Sequence, residues 1–317
     1  MVEQDCLASM DGLIWLRTGH HVASKFNQHQ TTVSRNSRKC AKAFEISLER
    51  VNSEWQVIGD LKLLNLERRV HQYVRFKSGD FLRLDAQHWS GSLLGTSPPS
   101  GWILGNLNFL EYRRPLQLMQ ERIIDAWITS YPDAPSNDPD LATIQLSKMP
   151  MVLVVKAGHP LLDLGDAVTF QDVSRYPLLP LPDHAFPKFE QTLRACGLMS
   201  LDPSQSDRQS NATHAGKGSI EDLMVGFATP LTLPLYGEDC QVLPLRLPIE
   251  VGDALVVRRE FAHYPQIQRL ADYLQNRLTE LALTTQALTV LTDNCTETAV
   301  DNSSNLDPLL QSSIKAI

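Results

Sequence analysis

The densest run of side chains able to do chemistry is Gln30-Thr31-Thr32-Val33-Ser34-Arg35. Wound as a helix, this stretch puts Val33, Cys40, Ala41 and Phe44 on one face. Gln30, Thr31, Thr32, Ser34, Arg35, Arg38 and Lys39 are left at its start and on its outer face. Those residue types suit a nucleic-acid partner: a Gln amide pairs with adenine, Arg with guanine or phosphate, and hydroxyl and ammonium groups with phosphate oxygens. A helix-turn-helix that reads DNA also needs a small residue where its first helix crosses the second, a turn and an apolar anchor. Ala23, Asn27 and Val33 meet those needs. The competing reading is a solvated polar helix in a small bundle.

Such a helix must be held by others. Apolar spacing over residues 7–44 is helical and breaks at Thr18-Gly19-His20 and Asn27-Gln28-His29, which predicts three helices joined by short turns. Ile46-Ser47-Leu48 and Trp55-Gln56-Val57 alternate around Val51-Asn52-Ser53, as a hairpin wing would. Leu63, Leu66, Val70 and Tyr73 follow at 3-4-3 spacing. That seam fits either a partner helix or packing on the same chain. Beyond residue 80, short apolar runs (81–85, 102–109, 126–129, 151–155, 178–181 and 254–257) alternate with helical stretches at 116–124, 188–196 and 267–283, which predicts an α/β sheet. Residues 286–317 are polar and aperiodic, so they are read as a disordered tail.

Charge divides the chain. Overall it carries 29 Lys and Arg against 36 Asp and Glu, a net of −7 over 317 residues, yet residues 12–50 hold seven basic and two acidic residues. This excludes a chain that coats nucleic acid or anionic lipid throughout, and leaves a small positive unit on an acidic body. The five cysteines are scattered and never spaced as C-x-x-C, which disfavours a disulfide framework or a zinc site and fits a reducing cytoplasm. Residues 1–10 lack the order of a signal peptide, and the uncharged stretch 223–237 is broken by Pro230 and Pro234. A cytoplasmic chain with no membrane span is expected. The serine-hydrolase elbow, P-loop, dinucleotide fingerprint and paired-His zinc motif are missing. No catalytic residue, metal or cofactor is therefore assigned. His159 beside Pro160 is read as structural, and the adjacent His20 and His21 make a poor metal site.

The run Gln30-Thr31-Thr32-Val33-Ser34-Arg35 resembles the start of the recognition helix in the LysR-type transcriptional regulators. The likeness extends to Gly158-His159-Pro160-Leu161, then Val168-Thr169-Phe170-Gln171-Asp172-Val173, then Tyr176-Pro177-Leu178-Leu179. Asp125-Ala126-Trp127-Ile128 is similar to the strand before that family's cleft, and Val256-Val257-Arg258-Arg259-Glu260 to its late return strand. Three features depart from the family pattern: Ser37 where an apolar residue is usual, a short linker helix at 61–76, and Ser97-Pro98-Pro99-Ser100-Gly101 where a full helix is usual.

The resemblance implies an α/β protein with an N-terminal winged helix-turn-helix at 8–60, a linker helix at 61–80 and a two-lobed periplasmic-binding-protein-like α/β effector domain at 81–285. It implies a sequence-specific regulator whose partners are double-stranded DNA, a small-molecule effector and further copies of itself, as a dimer or tetramer. Open α/β sheets bind ligands beyond the carboxyl ends of their strands, and hydroxyl groups there suit a polar or anionic metabolite. Ser90, Ser92, Thr129, Ser130 and Thr229 are the expected effector contacts. The alternatives are a ligand-binding or scaffold protein whose helix-turn-helix contacts proteins, and an enzyme on a binding-protein fold.

Overall fold

A computed structural model describes residues 2–87, 91, 93–106, 113–181, 185–199, 223–283 and 289–290. Ser90 and Ser92 lie outside the described residues, as does the tail apart from Thr289–Val290.

The chain opens with helices α1 (Gln4–Leu16), α2 (Gly19–Lys25) and α3 (Gln30–Ala43). α2 passes close to α1 at Gly12, since a Cβ there would stand 2.9 Å from the Val22 side chain. Asn27 makes the turn into α3 with φ +51°, a left-handed conformation that Asn tolerates better than most residues. Val33, Ser37 and Cys40 bury the inner face of α3, and the Ser37 hydroxyl donates to the Val33 carbonyl at 2.8 Å. That bond lets a polar residue occupy a position that is usually apolar.

Strands β1 (Ser47–Val51) and β2 (Glu54–Ile58) pair antiparallel around Asn52 and Ser53. Both turn residues have positive φ, the backbone of a two-residue turn whose twist matches the strands.

Helix α4 (Lys62–Ser78) joins this unit to the body. It packs on its own chain through Leu64, Arg68, His71, Gln72, Arg75 and Phe76, and Phe76 stacks on Phe261 at 4.1 Å. The Leu63, Leu66, Val70 and Tyr73 seam is on the other side, 66, 60, 45 and 39% exposed. Packing on the same chain therefore accounts for the polar face of α4 and for Tyr73, whose ring meets Phe261 edge-on at 4.9 Å and whose hydroxyl donates to Glu260 at 2.7 Å, and leaves Leu63, Leu66 and Val70 uncovered.

The body contains β3 (Leu82–Ala86), β4 (Trp102–Leu104), α5 (Arg113–Gln120), β5 (Ala126–Tyr131), β6 (Leu141–Gln145), β7 (Ser147–Lys156), α6 (Phe170–Val173), α7 (Pro187–Ala195), β8 (Gly226–Ala228), β9 (Cys240–Arg258), α8 (Pro265–Leu283) and β10 (Thr289–Val290). The first lobe has strand order β4-β3-β5-β9, parallel between β4, β3 and β5, with β9 antiparallel to β5 and to β6. β7 and β9 run on together into the second lobe, where β8 pairs with β7. The burial of β9 records that passage. Val251 to Arg258 is buried throughout, as in a central strand, whereas Cys240 to Glu250 is mostly exposed and buries Leu243 and Leu247.

Four local expectations change. Residues 178–181 form no strand beyond a single bridge from Leu178 to Val225, because Pro177 and Pro180 supply no N–H to a ladder. The helix expected to reach residue 124 stops at Gln120, since Arg122 takes a left-handed backbone that turns the chain into β5. The strand expected over 102–109 ends at Leu104, and 107–112 lie outside the described residues. Within the tail, Thr289–Val290 pairs with Ser147 and Lys148 of β7.

The winged unit, α4 and the first lobe meet around buried charges. Asp11 accepts from Arg68 Nε at 2.9 Å and from Arg83 Nη1 at 3.5 Å, and Arg68 Nη1 also reaches Glu121 at 3.0 Å. Asp125 is held by both arms of Arg75 at 2.8 Å, by Gln72 at 3.0 Å and by the Arg83 backbone N–H at 2.9 Å. The Arg83 guanidinium lies 5.5 Å from the Phe26 ring centre, and burial together with Arg75 lowers its pKa to about 10, still charged at neutral pH.

Removing one partner of a buried ion pair leaves the other charge desolvated and unpaired. Asp11→Ala should therefore lower unfolding stability in urea by about 3–5 kcal/mol, and an unchanged denaturation midpoint would show that Asp11 carries no such role. Gly252 is a second sensitive point, since a Cβ there would meet the Ser147 carbonyl oxygen at 2.1 Å, where β7 and β9 cross between the lobes. Gly252→Ala should cost about 1–3 kcal/mol by forcing those strands apart, read as a lower melting temperature.

Candidate functional site

Two regions carry chemistry. The first is the outer face of α3, where Gln30, Thr31, Ser34, Arg35, Arg38 and Lys39 are exposed and Thr32 is half-buried. Gln30 lies over the small residue Gly19, where a Cβ would stand 3.1 Å from its Cγ. Lys39 is turned aside by Glu3, which accepts from its ammonium at 2.9 Å. The hydrogen bond and charge of Glu3 raise the Lys39 pKa, and Lys39 in turn lowers that of Glu3. Both groups are exposed, so the pair is weak and open to competition from a phosphate.

No side chain caps the amino end of α3, and its first turn has no acidic residue, so its free N–H groups and positive dipole end stay available to an anion. Thr18 caps α2 by accepting from the His21 N–H at 3.2 Å. At the wing, Arg50, Asn52 and Ser53 are placed at or beside the turn, with Arg50 and Asn52 exposed. Lys42 at the end of α3 and Arg50 at the wing, both exposed, add further cations from the basic excess of residues 12–50.

The second region is a cleft between the lobes enclosing about 1000 Å³, its open mouth included. It lies beyond the carboxyl ends of β3 and β5, where strand order reverses. Ser130 lines it and donates to Gln87 at 2.9 Å. Thr229 lines it too, but its hydroxyl is engaged with Thr232 at 3.1 Å, and each of the two oxygens accepts the other residue's backbone N–H. Thr129 does not line the cleft. Its side chain is fully buried, and its hydroxyl has no hydrogen-bond partner among the described residues. Neighbours on a strand point to opposite faces, so Thr129 and Ser130 could not both face the ligand space.

The walls are apolar, supplied by Leu93, Met149, Met151, Phe186, Phe189 and Phe227 among others. None of the described lining residues is Lys, Arg or His, while Asp133 and Asp253 are both present. This lining does not support the expectation of an anionic ligand. Asp133 accepts the Lys188 and Phe189 backbone N–H groups, and its pKa is raised because burial outweighs those bonds. Tyr236 donates to the Phe227 carbonyl at 2.7 Å, and its pKa is pushed up to about 12 by burial and by Cys240 nearby.

Two other titratable groups are committed to structure. His159 is buried, and its Nδ1 accepts the Leu161 N–H at 3.1 Å to cap a short 3-10 segment that starts with Pro160. Burial pushes the Cys40 thiol up to about 12, which makes it a poor nucleophile. Among the described residues no group of three His, Cys, Asp or Glu could hold a metal, and no helix is long and apolar enough to cross a membrane.

Comparison with known proteins gives the context. The model of the LysR substrate-binding domain matches residues 106–279. A full-length cysteine variant of OxyR from Pseudomonas aeruginosa shares the fold at 16% identity and TM-score 0.54, with 93% of this chain and 99% of that one covered. Full-length CbnR in complex with its target DNA aligns at 11% identity and TM-score 0.45, over 87% of this chain and all of that one. A full-length point mutant of BenM aligns at 17% and 0.44, over 88% and 97%. No curated protein matches the sequence. The family match spans more than half the chain, on a fold shared with a full-length member, and the chain belongs to the LysR-type transcriptional regulators, a family of regulators rather than enzymes.

Proposed function

We propose that the protein acts in the cytoplasm as a sequence-specific DNA-binding regulator, with α3 as its recognition helix. The observation that carries this reading is the division of α3 into two faces. Val33, Ser37 and Cys40 anchor the inner face, while Gln30, Thr31, Ser34, Arg35 and Arg38 stand in solvent on the outer. Gln30 and Arg35 are the base-reading candidates, with Thr31, Thr32, Ser34, Arg38 and Lys39 on the phosphates. The wing brings Arg50 to the flanking backbone.

One such helix covers too few base pairs for a genomic address, so two copies act together. The seam of Leu63, Leu66, Val70 and Tyr73 on α4, uncovered at its first three residues, is the surface that joins them. A small molecule in the interlobe cleft, near Ser130 and Thr229, shifts the lobes because it binds one arrangement better than another. The Asp11, Arg68 and Arg83 contacts carry that shift to the winged unit.

Selection from fragmented genomic DNA with the purified protein should enrich one sequence. On that sequence Arg35→Ala or Gln30→Ala should cost about 1–3 kcal/mol and relax base preference. Lys42→Ala should weaken binding to all sequences alike and reduce the salt slope by about one. Unchanged affinity in Arg35→Ala would remove α3 as the reader. The double change Leu66→Asp with Val70→Asp should give monomers in sedimentation and weak DNA binding while the body stays folded; a parent protein that is monomeric at full DNA affinity would refute the seam.

A further inference from the structure

The hydrogen-bond bookkeeping of the interlobe cleft restricts what it can hold, an inference that rests on reading the cleft as the effector site. Apart from the phenol of Tyr131, each described polar side chain on its walls already has a partner inside the protein. Ser130 donates to Gln87, and Thr229 and Thr232 satisfy one another. Tyr236 donates to the Phe227 carbonyl, Asp133 accepts two backbone N–H groups of α7, and Asp253 accepts from the Ser147 hydroxyl at 3.1 Å.

An apolar guest would leave all of these bonds in place and cover Met149, Met151, Phe189 and Phe227 from water. A carboxylate would gain no such fit. It would lose its hydration, find no cation among the described lining residues and face Asp133 and Asp253. The ammonium of Lys188, whose backbone N–H is bonded to Asp133, donates instead to the Pro132 carbonyl at 2.7 Å and lies outside the lining. We propose that the cleft takes an uncharged, largely apolar small molecule of aromatic or branched-aliphatic build and discriminates against carboxylates of the same shape.

The test is calorimetric titration of the full chain at neutral pH with two probes that share a ring system, neutral 1-naphthol and anionic 1-naphthoate. Naphthol should bind at least tenfold more tightly. Its binding should be lost in Met151→Trp and in Leu181→Trp, two variants that fill the cleft from different walls; whichever keeps cooperative melting serves as the control for folding. Naphthoate binding as tightly as naphthol, and lost in the filled variants, would overturn the neutral-ligand inference while keeping the cleft as the effector site. Absence of cleft-dependent binding by both probes would overturn the two readings together.

Discussion

Three guanidinium groups and three carboxylates, Arg68, Arg75 and Arg83 with Asp11, Asp125 and Glu121, meet where the winged unit, α4 and the first lobe come together. Of these, only Glu121 keeps appreciable contact with water. Withdrawing such charges from solvent is expensive, and the cost is offset only when each is paired at good geometry. The arrangement is therefore intolerant of sliding or rotation. Asp11 belongs to α1, Arg68 and Arg75 to α4, Arg83 to β3, and Asp125 stands just before β5. One cluster thus sets the orientation of the DNA-facing unit, the linker and the effector-binding lobe relative to each other.

That constraint also explains the two faces of α4. Its buried face is rich in polar and charged residues because it supplies the network, with Phe76 added at the end where it meets Phe261. Its apolar residues are displaced to the outer side, opposite to the usual order in which apolar residues face the core. A helix whose interior contacts are met by ion pairs can offer its greasy side to a second copy.

β5 links the network to the cleft. Asp125 precedes its first residue and Ser130 and Tyr131 end it, a span of roughly 20 Å at ~3.3 Å per residue. Its neighbour β9 runs from this central position into the second lobe, past Gly252, where two backbones cross too closely for any side chain. The charge asymmetry complements this: the cations that suit an anionic polymer are concentrated in the small basic unit, and the body is acidic.

Local order was legible in the sequence, because it depends on neighbours within a few residues. The helix breaks at Gly19 and Asn27, the hairpin around Asn52 and Ser53, the apolar runs of β5, β7 and β9, and the polar outer face of α3 all follow from periodicity and backbone preference. Partners distant in sequence were not. Nothing local distinguishes Asp11, fully withdrawn from water, from the exposed Asp5, and Gly12 reads as a weak helix residue until α2 is laid across it. Of the hydroxyl residues that follow strands, Ser130 and Thr229 line the cleft, yet strand alternation turned Thr129 into the core and Thr229 was taken up by its own turn. The apolar character of the cleft emerged only when Met149, Met151, Phe189 and Phe227, from three separate stretches of chain, were brought face to face. Sequence determined most of the helices and strands and the polar outer face of α3; tertiary structure decided which charges are buried together and which side chains line the cleft, because burial and pairing are properties of residues far apart in the chain.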